Sequence, residues 1–192
     1  DSPEYKEKFH DEIKKFAELT NHKSRGFRAP TFSLNNNSSW AIDILAENDY
    51  MYDSSVVPAK TSMYGLPGAQ ESPYKISSKN IEQHNSDGIV TEFPLLVTKF
   101  MGKKIPAGGG FYLRTLPTKI IKNAIKNYQK QAIPATFYIH SWELTPEYMP
   151  KIQLPFKENF VTYHNIGKAY TRMNELLQQF QFTSFSNFIS EG

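Results

Sequence analysis

The chain contains no cysteine. That absence rules out a disulfide framework and any thiolate nucleophile or thiolate metal ligand, and it leaves the compartment open. No apolar run approaches the ~20 residues that a membrane span needs, so no transmembrane segment is expected. Asp1 to Lys15 is charged throughout, unlike a secretory leader. Blocks of one charge are missing too. Lys and Arg total 22 against 19 Asp and Glu, a net charge of +3. That excess is small and dispersed along the sequence, which argues against nucleic acid as a partner. The five histidines (His10, His22, His84, His140 and His164) are scattered, with no His-x-x-x-His and no adjacent Asp-Asp anywhere. The chain therefore carries no local metal motif, and no metal ligand is assigned within it.

What is present points to a packed globular body. Of the 192 residues, 39% are hydrophobic and 14% aromatic, with 14 Phe and 11 Tyr, far too many for a disordered chain and enough for one ordinary domain. A single domain over 1–192 is expected, interrupted by a Pro-, Gly-, Ser- and Lys-rich stretch at 58–85 that reads as a loop insertion. The chain opens at Asp1 rather than Met and runs directly into a helix, which reads as the start of a fragment or processed product.

Ser2-Pro3-Glu4 has the chemistry of a helix start, and Tyr5, Phe9, Ile13, Phe16 and Ala17 continue at helical spacing to about Leu19. A short strand is expected at 25–29. A helix follows from about Ser38 to Glu47 with Trp40, Ile44 and Leu45 inward, then strands at 50–52 and 88–93. Thr118 to Gln131 forms an amphipathic helix with Ile121, Ala124, Ile125 and Tyr128 on one face and lysines on the other. A strand at 135–140 and a helix near 167–180 complete the pattern. Strands alternating with helices favour a parallel α/β sheet.

Four of these strand-like segments end in an ionisable or hydrogen-bonding residue: Arg28, Asp53, Glu92 and His140. In α/β barrels the chemistry sits at the C-terminal ends of strands. His140 emerges beside Trp142 and Glu143, where an imidazole can transfer protons near neutral pH; a structural role at the rim is the alternative. Arg28, restrained by Pro30 two residues later, can clamp a carboxylate or form an ordinary surface ion pair. Asp53, before Ser54-Ser55, can orient His140 or simply make a turn. Trp142, Tyr112 and Tyr138 suit either a sugar-stacking platform or the core. The triplet Gly108–Gly110 lacks the Lys-Ser/Thr of a phosphate loop and reads as a tight backbone passage or a flexible loop. Glu92 stands at the rim without an assigned role.

Taken together, Gly26-Phe27-Arg28-Ala29-Pro30-Thr31-Phe32-Ser33, Tyr52-Asp53-Ser54-Ser55, Glu92-Phe93-Pro94, Gly108-Gly109-Gly110-Phe111-Tyr112 and Phe137-Tyr138-Ile139-His140-Ser141-Trp142-Glu143 resemble the polysaccharide deacetylases of the NodB-homology type. The similarity is greatest to the bacterial subgroup associated with exopolysaccharide and exosortase systems, and it extends over nearly the whole chain. The resemblance implies a distorted (β/α) barrel with fewer than eight strands, here without its N-terminal strands. It also implies an enzyme that hydrolyses N-acetyl groups of an acetylated amino-sugar polysaccharide with a divalent metal, usually zinc. By motif, His140 would be the general acid, Asp53 its partner, and Arg28 the holder of a catalytic-base aspartate. Ile139 would line the acetyl pocket, and Pro30 and Thr31 would shape a loop beside the metal. The family's Thr-Phe-Asp-Asp and His-x-x-x-His motifs, which supply the base and the metal ligands, are absent. The chain is thus expected to be the C-terminal portion of such an enzyme, inactive unless joined by the N-terminal portion. The alternatives are a non-catalytic carbohydrate-binding relative without the metal site and, more weakly, a structural half-domain that completes a barrel with another chain. The polymer is not identifiable from these residues, and the compartment stays open between the cytoplasm and the envelope of a bacterium.

Overall fold

A computed structural model describes residues 2–191. The fold is mixed α/β and divides into two compact units. One runs to Pro94 and takes back the C-terminal helix; the other is Leu95–Ser184.

In the first unit, helix α1 (Pro3–Leu19) starts with Pro3 at its first position and Glu4 in its first turn. Ser2 occupies the N-cap position, but its hydroxyl makes no capping bond and is buried without a partner among the described residues. Ile13 and Ala17 are buried, and Phe9 meets Phe27 and Trp40 edge-on at 5.7 Å each. Strand β1 (Gly26–Phe27) leads to a 3-10 turn at Asn36–Ser38 and helix α2 (Ala41–Glu47). The turn is closed by a capping box in which the Asn35 side chain accepts from Asn37 N and the Ser38 hydroxyl accepts from Asn35 N. This box takes up Ser38, the first position of the expected helix, and with the turn at Ser39 and Trp40 delays α2 to Ala41. Ala41, Ile42 and Leu45 then face the core, with Trp40 and Ile44 half-buried.

Strands β2 (Tyr52–Asp53), β3 (Tyr74–Lys75) and β4 (Thr91–Glu92) complete a sheet of order β1-β2-β4-β3. The first three are mutually parallel, as the strand–helix alternation leads one to expect, and β3 adds an antiparallel edge. Register fixes two rows: Gly26, Tyr52 and Thr91, then Phe27, Asp53, Glu92 and Tyr74. Gly26 is required by its neighbour, because a Cβ there would fall 1.9 Å from the Tyr52 ring. The 58–85 stretch is packed. It supplies β3 and the buried side chains of Leu66, Ala69, Ile76 and Ile81 to a core shared with Ile42, Leu45, Tyr50, Val56 and Val90. Helix α8 (Phe185–Glu191) returns to this unit, where Phe185 stacks on Phe93 at 4.4 Å.

In the second unit, β5 (Val97–Phe100) and β6 (Lys103–Pro106) form a hairpin. Its two-residue turn, Met101–Gly102, has φ of 49° and 77°, the doubly left-handed form that matches strand twist. Helices α3 (Gly110–Thr115), α4 (Thr118–Lys130), α5 (Ser141–Leu144), α6 (Phe156–Tyr163) and α7 (Ala169–Gln179) follow. The buried face of α4 is Ile121, Ala124, Ile125 and Tyr128, as its periodicity predicts. The apolar run at 135–140 departs from expectation. It pairs only at single residues, Thr136 with Leu95 and Tyr138 with Gly109, and so never makes a ladder. Among the described residues no sheet closes on itself, and no helix is long and apolar enough to cross a membrane.

Candidate functional site

Three of the four strand-end residues lie at neighbouring strand ends of one sheet. Arg28 follows β1, Asp53 ends β2 and Glu92 ends β4, with Asp53 and Glu92 directly opposed in register. The Ser54-Ser55 pair knits them together. Arg28 donates through Nε to Ser54 O at 2.8 Å and through Nη2 to Ser54 Oγ at 2.7 Å. Ser54 Oγ donates in turn to Phe93 O at 2.8 Å. Ser55 Oγ donates to Asp53 Oδ1 at 2.6 Å and accepts from Ala29 N at 2.8 Å. Hydroxyls can donate and accept at once, which is why two serines suffice to tie three strand ends. Arg28 itself is half-buried, with its guanidinium 5.7 Å from the Phe32 ring.

Asp53 and Glu92 are completely buried. Glu92 Oε1 accepts from Val56 N at 3.0 Å and Oε2 from Ser55 N at 3.4 Å, which anchors the chain just after Asp53. Asp53 Oδ2 meets no N–H or O–H group among the described residues. Burial raises the Asp53 carboxyl above the usual range, opposed by its hydrogen bonds and by the Arg28 charge. Glu92 is pushed well up, first by burial and then by the charge of Asp53. Two facing carboxylates out of water cannot both ionise, so one proton stays with the pair, and it supplies the donor that Asp53 Oδ2 otherwise lacks. On the far side of β4, the Tyr74 hydroxyl is raised as well, by burial and by these same carboxyls, and it donates to Ile81 O at 2.5 Å.

The loop after Arg28 holds two consecutive left-handed residues, Thr31 (φ 56°) and Phe32 (φ 53°). A β-branched residue there costs on the order of 1–3 kcal/mol and needs outside restraint. The restraints are Pro30, the bonds Phe32 N to Ala29 O at 3.0 Å and Ser33 N to Pro30 O at 3.2 Å, and the burial of Phe32. Pro30 and Thr31 present exposed side chains. A largely apolar cavity of about 360 Å³ reaches Asp53 and Ser55 between Phe9, Phe27, Ala29 and Trp40. An open cleft of about 310 Å³ exposes Arg28 beside Arg25, Lys23 and Ser54.

His140 belongs to the second unit and is exposed at the N-cap of α5. The Tyr138 hydroxyl lies 2.5 Å from its Nε2 and 2.9 Å from Nδ1, and Trp142 stacks on the ring at 5.2 Å and 21°. Its backbone is held from beneath. Glu143 Oε2 accepts from His140 N at 3.0 Å, while Oε1 receives Arg114 Nε at 2.9 Å. Arg114 and Glu143 are both buried, and Arg114 also donates to Val161 O at 2.9 Å and His164 O at 2.5 Å. The glycine triplet explains the approach. A Cβ on Gly110 would meet Glu143 Oε2 at 1.9 Å, and one on Gly108 would meet Thr136 O at 2.3 Å. The tight passage expected there is thus made against the chain itself. Ile139, Trp142 and Tyr112 are half-buried, with Tyr112 edge-on to Phe111 at 5.4 Å.

The chain belongs to the DUF3473 family, described as a domain of unknown function. The family model matches residues 54–190, which takes in Glu92, Arg114, His140 and Glu143 and leaves Arg28, Pro30, Thr31 and Asp53 upstream. No curated protein and no solved structure matches the chain. The family description carries no activity, so the chemistry has to be argued from the residues.

Sequence reasoning did not find the roles of Ser54, Ser55, Glu92, Arg114 and Tyr138. Only Ser54-Ser55 had a local signal, two hydroxyls directly after a strand-end acid. As for a metal, no group of three His, Cys, Asp or Glu side chains converges among the described residues, and the Asp53–Glu92 pair is taken up by hydrogen bonds.

Proposed function

We propose that the chain is the C-terminal portion of a metal-dependent polysaccharide N-deacetylase, built on a distorted NodB-type (β/α) barrel and acting on an acetylated amino-sugar polymer. The observation that supports this most is that Arg28 and Asp53, linked through Ser54 and Ser55, lie at the C-terminal ends of adjacent parallel strands. Enzymes of α/β-barrel architecture keep their chemistry in that position. The ordered family-like motifs add to it.

On this reading the metal ligands and the base aspartate come from an N-terminal portion, and the divalent metal, when bound, polarises the acetyl carbonyl and the attacking water. The residues of this chain act around that centre. His140 delivers a proton to the amine nitrogen as the C–N bond breaks, and Asp53 fixes the Ser54-Ser55 turn on which Arg28 rests. Arg28, already fixed on Ser54, aligns the base aspartate. Pro30 and Thr31 hold the adjoining loop, and Ile139, Trp142 and Tyr112 line the sugar and acetyl contacts.

In the complete enzyme, His140→Ala is expected to lower deacetylation by about 10²–10⁴-fold. Near-normal turnover would return His140 to a structural role. The chain alone is expected to bind zinc no better than any surface histidine, and a tight stoichiometric site in calorimetry would move the ligands into this chain. The stack of the exposed His140 on the half-buried Trp142 also favours a second reading, a carbohydrate-binding relative without hydrolysis. Sugar binding by a complete protein that releases no acetate would decide for it.

A further inference from the structure

The net charge of +3 conceals a division between the two units. Leu95–Ser184 carries 12 basic and 4 acidic residues, a net charge of +8, and the remainder carries 10 basic and 15 acidic, a net charge of −5. No acidic residue lies between Glu92 and Glu143, while that stretch holds eight Lys and Arg. The small overall excess is thus concentrated in one contiguous unit.

Within the basic unit, α4 arranges the cations. Lys119, Lys122, Lys126 and Lys130 follow at intervals of three, four and four residues. At 100° per residue these positions share roughly 80° of arc and extend for about 16 Å, close to one charge per turn. Lys122 pairs with Glu175 on α7. Lys119, Lys126 and Lys130 are exposed and form no ion pair among the described residues. The exposed residues that accompany them are Asn123, Asn127 and Gln129.

Resting on the reading as a polysaccharide deacetylase, we infer that the lysine face of α4 docks an anionic polysaccharide, so that the polymer handled by the enzyme carries acidic groups along its length. Spaced ammonium groups match a chain with charges repeated along it, and the carboxamides between them can donate to and accept from sugar hydroxyls. Other polyanions fit this face less well. The opposite face of α4 is spent on the core, with Ile121, Ala124, Ile125 and Tyr128 all at most 5% exposed, which leaves the half-buried Ile120 alone as apolar surface, too little to anchor the helix in a lipid surface. The lysine face also has no arginine to read bases and no aromatic ring to stack on them.

The test is binding of the full chain to polygalacturonate, with neutral dextran, duplex DNA and phosphatidylcholine–phosphatidylserine vesicles in parallel. The expected result is binding of polygalacturonate and not of dextran, weakening steadily as NaCl rises. The triple variant Lys119→Gln/Lys126→Gln/Lys130→Gln should bind about 10- to 100-fold more weakly, the combined worth of three exposed ion pairs. Its circular dichroism should match the wild type, and Lys79→Gln in the other unit should change nothing. Unchanged binding by the triple variant overturns the assignment to α4. Tighter binding of DNA or vesicles than of polygalacturonate overturns the polysaccharide, and salt-sensitive self-association lost in the triple variant would give the face to a second copy. Polygalacturonate has no acetamido group, so its binding is read independently of deacetylation and the two proposals fail separately.

Discussion

At the scale of single residues the central question is why Asp53 and Glu92 face one another in a dry site. Glu92 ties down Ser55 and Val56, and Asp53 takes the Ser55 hydroxyl, so each acid positions the other through the same turn. The cost is a proton that must stay in the folded protein. Both carboxyls are raised above their ordinary values of 3.8 and 4.5, so the folded state holds a proton that the unfolded chain releases above about pH 4. The contribution of the pair is therefore complete below that pH and declines as pH rises towards the folded-state titration. Its slope is at most about 1.4 kcal/mol per pH unit. Arg28 tempers the effect from β1, while Tyr74 and Glu82 stay on the side of the acids. Glu92→Gln keeps the shape, supplies an N–H to Asp53 without any proton uptake, and should flatten this pH dependence. Denaturant titrations of both proteins from pH 4 to about pH 8 measure the difference; parallel curves would mean that no proton is shared. Glu92→Ala strands two N–H groups and Asp53 Oδ2 together and should cost about 2–4 kcal/mol near neutral pH.

At the scale of elements, the second unit depends on a buried ion pair wedged between α3 and α5. Glu143 bridges Arg114 and the His140 backbone, and Gly110 leaves the space for its carboxylate. Gly110→Ala pushes a methyl group into that carboxylate. Arg114→Met leaves the buried Glu143 without its cation, which should cost about 3–5 kcal/mol in denaturant unfolding. Arg114→Met with Glu143→Leu should recover much of the loss; equal destabilisation by the single and double changes would show that the packing, not the charge, is decisive. These elements also mark what a sequence can reveal. The buried face of α4 was readable because 3.6-residue periodicity depends on that helix alone. Arg28 and Asp53 were readable as strand ends, since Pro30 and Ser54-Ser55 punctuate locally. The role of Glu92 was not, because it exists only once β2 and β4, separated by 37 residues, come into register. The run at 135–140 has strand composition, yet whether it forms a ladder is decided by its neighbours, which offer one pairing residue each.

At the scale of the molecule, the family match and the folded units are cut at different places. The match begins at Ser54, directly after β2, whereas the first unit needs everything from α1 onward. A chain trimmed to 54–190 would lose β1 and β2 and leave β4 with its antiparallel neighbour alone. It would also lose Ile13, Ala29, Leu34, Ile42, Leu45 and Tyr50 from the core cluster that the 58–85 segment packs against. Burial of one such large aliphatic side chain contributes about 1.5–3 kcal/mol, so several together exceed the whole stability of an ordinary domain. The second unit, Leu95–Ser184, would keep every element and its Arg114–Glu143 pair. The trimmed chain should therefore behave as a folded 95–184 body with an unprotected 54–94 segment. Hydrogen exchange read by mass spectrometry would show fast exchange over 54–94 and slow exchange over α4 and α7. Equal protection of both regions would mean that the 58–85 segment and β4 hold their structure without β1 and β2, and that the parallel row carrying Arg28 and Asp53 is an addition to the family's fold and not its foundation.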